Sequence, residues 1–122
     1  MLVIKKTKED MYGIFTTKSI KSGETIHKFS PDFINSPTQT SIQCKKKHFE
    51  DRIGKYLNHH CNPNAKIITN KQSIILTSLE KIEENKEITF NYNTTEEKIT
   101  YPFKCKCHNK LIKGKKYAIK YI

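Results

Sequence analysis

The sequence contains no apolar run of about 18 residues, the length at which a transmembrane helix becomes a candidate. Residues 1–6 also lack the hydrophobic region of a secretory signal peptide. Only 35% of the 122 residues are hydrophobic and 29% are charged, which leaves room for one domain with a small core and none for a second. We therefore expect a single intracellular domain, cytoplasmic or nuclear.

Arginine is almost absent, since the sequence contains one arginine, Arg52, and 22 lysines. The net charge is +11, and residues 100–122 contribute seven lysines and no acid to it. Such a basic segment can attract phosphate or another acidic partner. Because base readout and bidentate phosphate clamping use arginine preferentially, we favour a compositional bias toward Lys, Asn and Ile. The alternative is a weak, salt-sensitive attraction to nucleic acid or a nucleosome.

Cysteine is also scarce, with four residues at positions 44, 61, 105 and 107. A disulfide between Cys105 and Cys107 would close a very tight and strained ring. Reduced thiols or metal ligands are therefore favoured over a disulfide framework, and the cysteines indicate a reducing compartment.

The local pattern is one of short strands and turns with little helix. Strands are predicted over residues 2–6, 14–17, 24–29, 41–44, 66–69, 73–79 and 87–92, with a hairpin turn at Asn70-Lys71. Residues 30–40, which include two prolines, are predicted to be loop, and residues 45–54 to form one or two helical turns. The apolar residues 117–122 are predicted to dock on the domain. Spacing alone predicts a small, mainly β domain.

Two motifs carry the chemical information. Residues 58–64 read Asn-His-His-Cys-Asn-Pro-Asn, in which a histidine and a thiol precede an Asn-Pro-Asn turn. Residues 87–92 read Glu-Ile-Thr-Phe-Asn-Tyr, a short predicted strand that ends in a tyrosine, and a Cys-x-Cys follows at 105–107. In this order and at this spacing, the motifs resemble the two signature motifs of the SET-domain protein lysine methyltransferases.

The resemblance extends over nearly the whole chain. Residues 11–15 (Met-Tyr-Gly-Ile-Phe) resemble the family's Gly-x-Gly segment, residues 19–24 the step that follows it, and residues 41–43 the strand before the Asn-His motif. Residues 101–107, with Gly114 beyond, are similar to the post-SET segment. The resemblance implies the SET fold, mainly β, with small curved sheets around a C-terminal pseudoknot. It places the SET domain at residues 1–100, with a variable insert at 30–54, and a post-SET-like segment at 101–122.

The resemblance also implies an activity. We expect a protein lysine N-methyltransferase that uses S-adenosyl-L-methionine and acts on a protein such as a histone. Tyr92 is the expected catalytic residue, and a phenol pKa of about 10 makes it an orienting hydrogen-bond partner more than a full base. The expected cofactor-binding residues are Met11, Tyr12, Gly13, Asn58, His59, Tyr92 and Phe103. The alternative is a catalytically weak SET module that binds protein or nucleic acid, because Met11 replaces a glycine and a post-SET cysteine is missing.

Two further residues are assigned to the substrate channel, Phe90 and Gln43. Phe90 lies two residues before Tyr92, on the same side of a strand. By the resemblance, phenylalanine at this position leaves space in the channel where tyrosine would crowd it. We therefore expect more than one methyl group to be added to a lysine.

A zinc ion is not expected from the sequence. In the family's post-SET pattern Cys-x-Cys-x4-Cys, the third cysteine is Ile112 here. The weak metal candidates Cys61, Cys105 and Cys107 supply three ligands, whereas a structural zinc site needs four. His60 and His108 are possible fourth ligands, but His108 is adjacent to Cys107 and poorly placed to share its metal. Apolar packing of Ile112 is the favoured arrangement.

Overall fold

The computed structural model describes residues 1–8, 11–70, 73–99 and 101–114, and the described chain consists mainly of short strands. These strands are β1 (Leu2–Lys8), β2 (Met11–Thr16), β3 (Thr25–Lys28), β4 (Asp32–Ile34), β5 (Ile42–Cys44), β6 (Lys47–Glu50), β7 (Asn58–His59), β8 (Ala65–Thr69), β9 (Ile74–Ser78), β10 (Glu87–Phe90), β11 (Phe103–Lys104) and β12 (Leu111–Ile112). Helical structure in these ranges is confined to two 3₁₀ turns, Gly54–Tyr56 and Tyr92–Thr94. Among the described residues, no helix is long and apolar enough to cross a membrane.

The central sheet brings the two sequence motifs together. Its strand order is β1-β2-β10-β7, and β10 is antiparallel to β2 but parallel to β7. On one side of β10, Ile88 pairs with Ile14, and both side chains are fully buried. On the other side, Thr89 lies opposite Asn58 and Phe90 opposite His59. The pairing of β10 with β7 therefore places the second motif beside the first.

Three smaller sheets surround this one, with strand orders β3-β9-β8, β4-β6-β5 and β11-β12 in the described chain. The predicted hairpin is confirmed, because β8 and β9 pair in antiparallel register from Ala65 opposite Ser78 to Thr69 opposite Ile74. The core joins the sheets through buried side chains such as Phe29 and Phe49, whose rings are 5.7 Å apart.

The predictions of loop over residues 30–40 and of helical turns over residues 45–54 were each wrong in part. The first range contains β4 and the second contains β6, and the two strands pair with Phe33 opposite Phe49. Phe49 is completely buried and its neighbours in β6 are not, which is the alternation of a strand. β6 pairs with β4 on one side and with β5 on the other, and β5 and β6 form a hairpin that turns at Lys45-Lys46 without the Gly, Asn or Asp that usually marks such a turn. The predicted docking of residues 117–122 lies outside the described residues.

Asp51 fixes the turn that leads into β7. Its side chain is 1% exposed and accepts backbone N–H groups from Ser30, Ile53 and Gly54 at 2.8–2.9 Å, while His27 Nε2 lies 3.2 Å from Oδ2. Burial alone would raise the pKa of Asp51, but the backbone hydrogen bonds and the charge of His27 lower it below 3.8. The folded chain therefore favours the carboxylate.

We expect Asp51→Asn to lower the free energy of unfolding by about 2–3 kcal/mol near neutral pH, because one amide oxygen replaces two charged acceptors. Since the pKa of Asp51 is lowered in the fold, its stabilising effect is present above its unfolded pKa of about 3.9 and is lost as the pH falls through the lower folded value. Urea unfolding at neutral and acidic pH measures both effects. Asp32→Asn, at an exposed position of β4, should change stability by no more than about 0.5 kcal/mol. Equal losses in the two variants would contradict the assignment.

Candidate active site

A cavity of about 770 Å³ is lined by residues of β2, β7, β10 and β11. This volume lies within the range of small-molecule and cofactor sites, roughly 300–1,000 Å³. Six of the residues expected from sequence line it, namely Met11, Asn58, His59, Phe90, Tyr92 and Phe103. The fold therefore collects at one cavity residues that lie far apart in the sequence.

Three of the expected residues are not among those that line the cavity. Tyr12 is 46% exposed, and its ring packs edge-on against Tyr56 at 6.3 Å. Gln43 donates from Nε2 to the Lys45 carbonyl oxygen and accepts the Glu97 N–H, both at 2.8 Å. Its side chain therefore joins two backbone segments. Gly13, the third of these residues, is buried in β2.

Gly13 leaves space for a contact between the two motifs. Asn58 Nδ2 donates to the Tyr12 carbonyl oxygen at 2.8 Å and to Glu87 Oε2 at 2.7 Å. A Cβ at residue 13 would lie 3.0 Å from Glu87 Cδ and 3.1 Å from Asn58 Nδ2, and it would clash with the carboxylate. A glycine is required at this position because the Glu87 side chain occupies the volume of a Cβ.

Tyr92 lies in an aromatic cluster. Its ring centroid is 5.0 Å from that of Phe90, 5.2 Å from that of His59 and 5.8 Å from that of Phe103. The predicted strand over residues 87–92 was too long, because β10 ends at Phe90 and Tyr92 begins a 3₁₀ turn. The Asn91 side chain caps that turn by accepting the Asn93 N–H. The rings of Phe90 and Tyr92 are nevertheless in contact, although the two residues do not share a strand.

The Tyr92 hydroxyl is held by the backbone that precedes the first motif. It donates to the Leu57 carbonyl oxygen at 2.7 Å. Burial raises the pKa of Tyr92 well above its ordinary value, and the charges of Glu96 and Glu87 raise it further. The phenol is therefore neutral across the physiological range, and its oxygen keeps lone pairs that can accept a hydrogen bond.

His59 has a defined tautomer. Its Nδ1 accepts the Tyr92 backbone N–H at 3.0 Å, so the ring proton of the neutral imidazole is on Nε2. Nε2 lies 3.3 Å from Cys61 Sγ, toward which it can donate. Burial and the charges of His60 and His108 lower the pKa of His59 to about 4, so the ring is neutral at physiological pH.

Comparison with known families agrees with this arrangement. The model of the SET domain matches residues 11–93, more than half of the chain. This chain belongs to the SET-domain family. The match begins at the glycine segment of β2 and ends just past Tyr92, and so it includes both sequence motifs.

Individual relatives and a solved structure are also similar to this chain. Histone-lysine N-methyltransferase SETD1B of Homo sapiens and of Xenopus tropicalis are each 37% identical to this SET domain over 61 residues, which is 47% of this chain. The chain spans 3% of the length of these relatives. A crystal structure of a candidate histone methyltransferase from Plasmodium falciparum has a TM-score of 0.61 at 22% identity, covering 75% of this chain and 96% of that one. The mainly β SET fold expected from the motifs is confirmed.

Two carboxylates in the wall of the SET cavity were not assigned to the site from sequence, Glu87 and Glu96. Glu87 begins the second motif, so its position was a usable signal. Glu96 lies beyond both motifs, and no pattern marks it. The pKa of Glu96 is raised, because the effect of burial is larger than the opposing effects. Hydrogen bonds from the Gln43 backbone N–H and the Thr95 hydroxyl, together with the charge of His48, lower it.

The structure supplies a fourth candidate metal ligand that the sequence analysis missed. One ligand atom from each of His59, Cys61, Cys105 and Cys107 lies within 4.8 Å of the other three. A sequence feature that could have identified it is the position of His59 two residues before Cys61, because alternate residues of an extended segment point to the same side. Such distances fit tetrahedral coordination of a thiophilic ion with metal–sulfur bonds of about 2.3 Å. Ile112 is 2% exposed, in agreement with its predicted apolar packing.

Proposed function

We propose that this SET domain transfers methyl groups from S-adenosyl-L-methionine to a lysine amine of a protein. The observation that carries the proposal is the neutral Tyr92 hydroxyl, which lies in the wall of a cofactor-sized cavity between the two signature motifs. The names of the relatives support a protein lysine as the acceptor, and a histone as the first substrate to test.

The chain's own residues provide orientation and a desolvated environment. When bound, S-adenosyl-L-methionine would supply an electrophilic sulfonium methyl, whose carbon an amine nitrogen can attack in line while the bond to sulfur breaks and the thioether leaves. Because the Tyr92 hydroxyl donates its proton to the Leu57 carbonyl oxygen, its own oxygen is left to accept an N–H from the amine. The cluster of Phe90, His59 and Phe103 around Tyr92 excludes water from this point. Burial also lowers the pKa of a lysine, which favours the neutral nucleophile.

The polar residues of the cavity suit the two ends of the cofactor. Both N–H groups of the Asn58 amide are used within the protein, so its carbonyl oxygen is the atom that can accept from a ligand amine. Lys8 and Lys106 also line the cavity. The neighbouring Lys8 side chain lowers the pKa of Lys106. The carboxylate of the methionine part would relieve the repulsion between these two ammonium groups.

Calorimetry with S-adenosyl-L-methionine, followed by intact-mass analysis of histones incubated with protein and cofactor, tests the proposal. We expect binding at one cofactor per chain and mass increases in steps of one methyl group. Binding without any transfer, to histones or to a whole-cell protein mixture, would favour a catalytically weak SET module. No binding would remove the methyltransferase proposal. A cytoplasmic or nuclear location is a further proposal. Weak attraction of the basic C-terminal segment to nucleosomes is another, and the salt dependence of nucleosome binding tests it.

The number of methyl groups added should depend on Phe90. Its side chain lines the cavity and is 2% exposed, and the resemblance to the family makes this position a product switch. We expect the wild type to form di- and trimethyl lysine and Phe90→Tyr to shift the products toward monomethyl lysine on one peptide. A new hydroxyl would fill the space in which a methylated amine must rotate.

Phe33→Tyr is the matched control, because Phe33 is half exposed in β4 and is not among the residues lining the cavity. Its product distribution should equal that of the wild type. A wild-type enzyme that stops at one methyl group, at long times with excess cofactor, would refute the assignment of Phe90.

A further inference from the structure

Methyl transfer to a lysine releases a proton that Tyr92 cannot take. A lysine side chain in water is an ammonium ion with a pKa of about 10.4, and its nitrogen attacks a methyl group only after it has lost a proton. The Tyr92 hydroxyl is neutral and donates its own proton to the Leu57 carbonyl oxygen. The acceptor of the lysine proton is therefore water or another polar group of the cavity.

Glu96 lies in the wall of this cavity, one helical turn after Tyr92. Its backbone N–H donates to the Tyr92 carbonyl oxygen at 2.9 Å. Side chains four residues apart in such a turn lie on the same face. Burial and then the charge of Glu96 raise the pKa of Tyr92, so the carboxylate is close enough to act on the phenol. Both groups therefore face the same part of the cavity.

The Glu96 carboxylate is held in place but is not neutralised. Its Oε2 accepts the Gln43 backbone N–H at 2.7 Å, and Gln43 Oε1 accepts the Glu97 N–H at 2.8 Å, so residues 96–97 are fixed against β5. In the part of the chain that the structure describes, no lysine or arginine forms an ion pair with Glu96. A fixed carboxylate without a cationic partner is free to accept a proton.

The neighbouring titratable groups leave Glu96 as the acceptor. Glu87 lies in the same wall, but its Oε2 already accepts the Asn58 amide at 2.7 Å. Burial raises the pKa of Glu96, and the charge of His48, from β6, opposes this to a smaller extent. When a substrate fills the cavity, the carboxylate and the ammonium both lose water, and this loss favours the neutral acid and the neutral amine.

We propose that Glu96 accepts the proton that the substrate lysine loses before methyl transfer, an inference that rests on the proposed function. The ammonium gives one proton to the carboxylate, which leaves a neutral amine and a carboxylic acid. The amine nitrogen then bonds to the methyl carbon while the carbon–sulfur bond breaks and its electron pair goes to sulfur. The products are a methylated ammonium and a thioether. Glu96 is half-buried, so its acid can return the proton to solvent.

Single-turnover methyl transfer to one peptide, measured at a series of pH values, tests this role. Glu96→Gln keeps an oxygen that can accept the Gln43 N–H, but its amide cannot take up a proton. We expect a rate roughly 100-fold lower near neutral pH. The loss should shrink as the pH approaches the lysine pKa of about 10.4, because the amine is then already neutral. A loss of the same size at every pH would make Glu96 a structural residue and overturn the proposal.

Glu97→Gln is the matched control, because it removes the same charge from the next residue, which is exposed and is not among the residues lining the cavity. Its rates should equal those of the wild type at each pH. Glu96→Asp, which keeps a carboxylate, should retain the wild-type pH profile, and a profile like that of Glu96→Gln would contradict the proposal. Unchanged rates in Glu96→Gln would refute this inference alone, whereas no transfer by the wild type would refute the proposed function as well.

Discussion

Removal of a single oxygen atom, in Tyr92→Phe, is expected to slow methyl transfer by a factor on the order of 10²–10³, while leaving cofactor affinity nearly unchanged. The ring contacts with Phe90, His59 and Phe103 do not involve the hydroxyl, so the cavity keeps its shape. What is lost is the acceptor for the amine, together with one hydrogen bond to the Leu57 carbonyl oxygen. Single-turnover rates by intact mass and affinity by calorimetry measure the two quantities independently.

The pH dependence distinguishes orientation from base catalysis. Because the pKa of Tyr92 is raised well above its ordinary value, its ionisation cannot produce a rise in rate near neutral pH. The rate should increase with pH as the substrate amine loses its proton, with the same profile in wild type and Tyr92→Phe. Tyr56→Phe, a half-buried tyrosine that is not among the cavity-lining residues, is the matched control and should retain full activity. Equal single-turnover rates for Tyr92→Phe and wild type would remove the hydroxyl from the mechanism.

Asn58→Ala should weaken the binding of S-adenosyl-L-methionine by roughly 10–100-fold, since the loss of a hydrogen-bond partner in a buried site costs about 1–3 kcal/mol. The substitution removes the proposed acceptor for the ligand and frees the Glu87 carboxylate and the Tyr12 carbonyl oxygen from the contact that positions them. Calorimetry on the folded variant measures the effect.

Asn64 offers a control from the same motif. Its Nδ2 donates to the Glu87 carbonyl oxygen at 2.8 Å and its Oδ1 accepts the Thr89 N–H at 3.0 Å, so it holds the backbone of β10, and it is not among the residues lining the cavity. Asn64→Ala should therefore lower stability but leave cofactor affinity in the folded protein within a few-fold of wild type. An equal loss of affinity in both variants would mean that the motif acts only as a structural turn.

Features that depend on a short stretch of sequence were predicted correctly. The hairpin of β8 and β9 follows from its turn residues, and the family follows from the resemblance of the two motifs to those of SET domains. The sequence did not predict β4 and β6, because β4 is short and the hairpin of β5 and β6 turns at Lys45-Lys46, which lacks the Gly, Asn or Asp signal of such turns. The end of β10 was misplaced for a local reason, since the Asn91 cap that turns the chain looks like part of an alternating strand.

Proximity across the chain also explains what was missed in the site. His59 was assigned to the cofactor, and its second neighbour, Cys61, to the metal, yet the ring reaches both Tyr92 and the cysteine cluster. Glu96 lies in the wall of the cavity, where its carboxylate accepts the backbone N–H of Gln43, a residue of β5, at 2.7 Å. No sequence pattern contains the pairing of residues 43 and 96, so only the fold reveals this second carboxylate.

Because β10 lies between β2 and β7, the stability of the folded state should depend on the concentration of a ligand of the cavity. The cavity draws its walls from strands near both ends of the described chain, so it exists only after the last strand of the central sheet has been inserted. A ligand of this cavity therefore binds the native state alone and adds about 2.7 kcal/mol to its stability at a free concentration 100 times the Kd. For the proposed cofactor, the resistance of the protein to heat and proteolysis would then measure the free concentration of that cofactor.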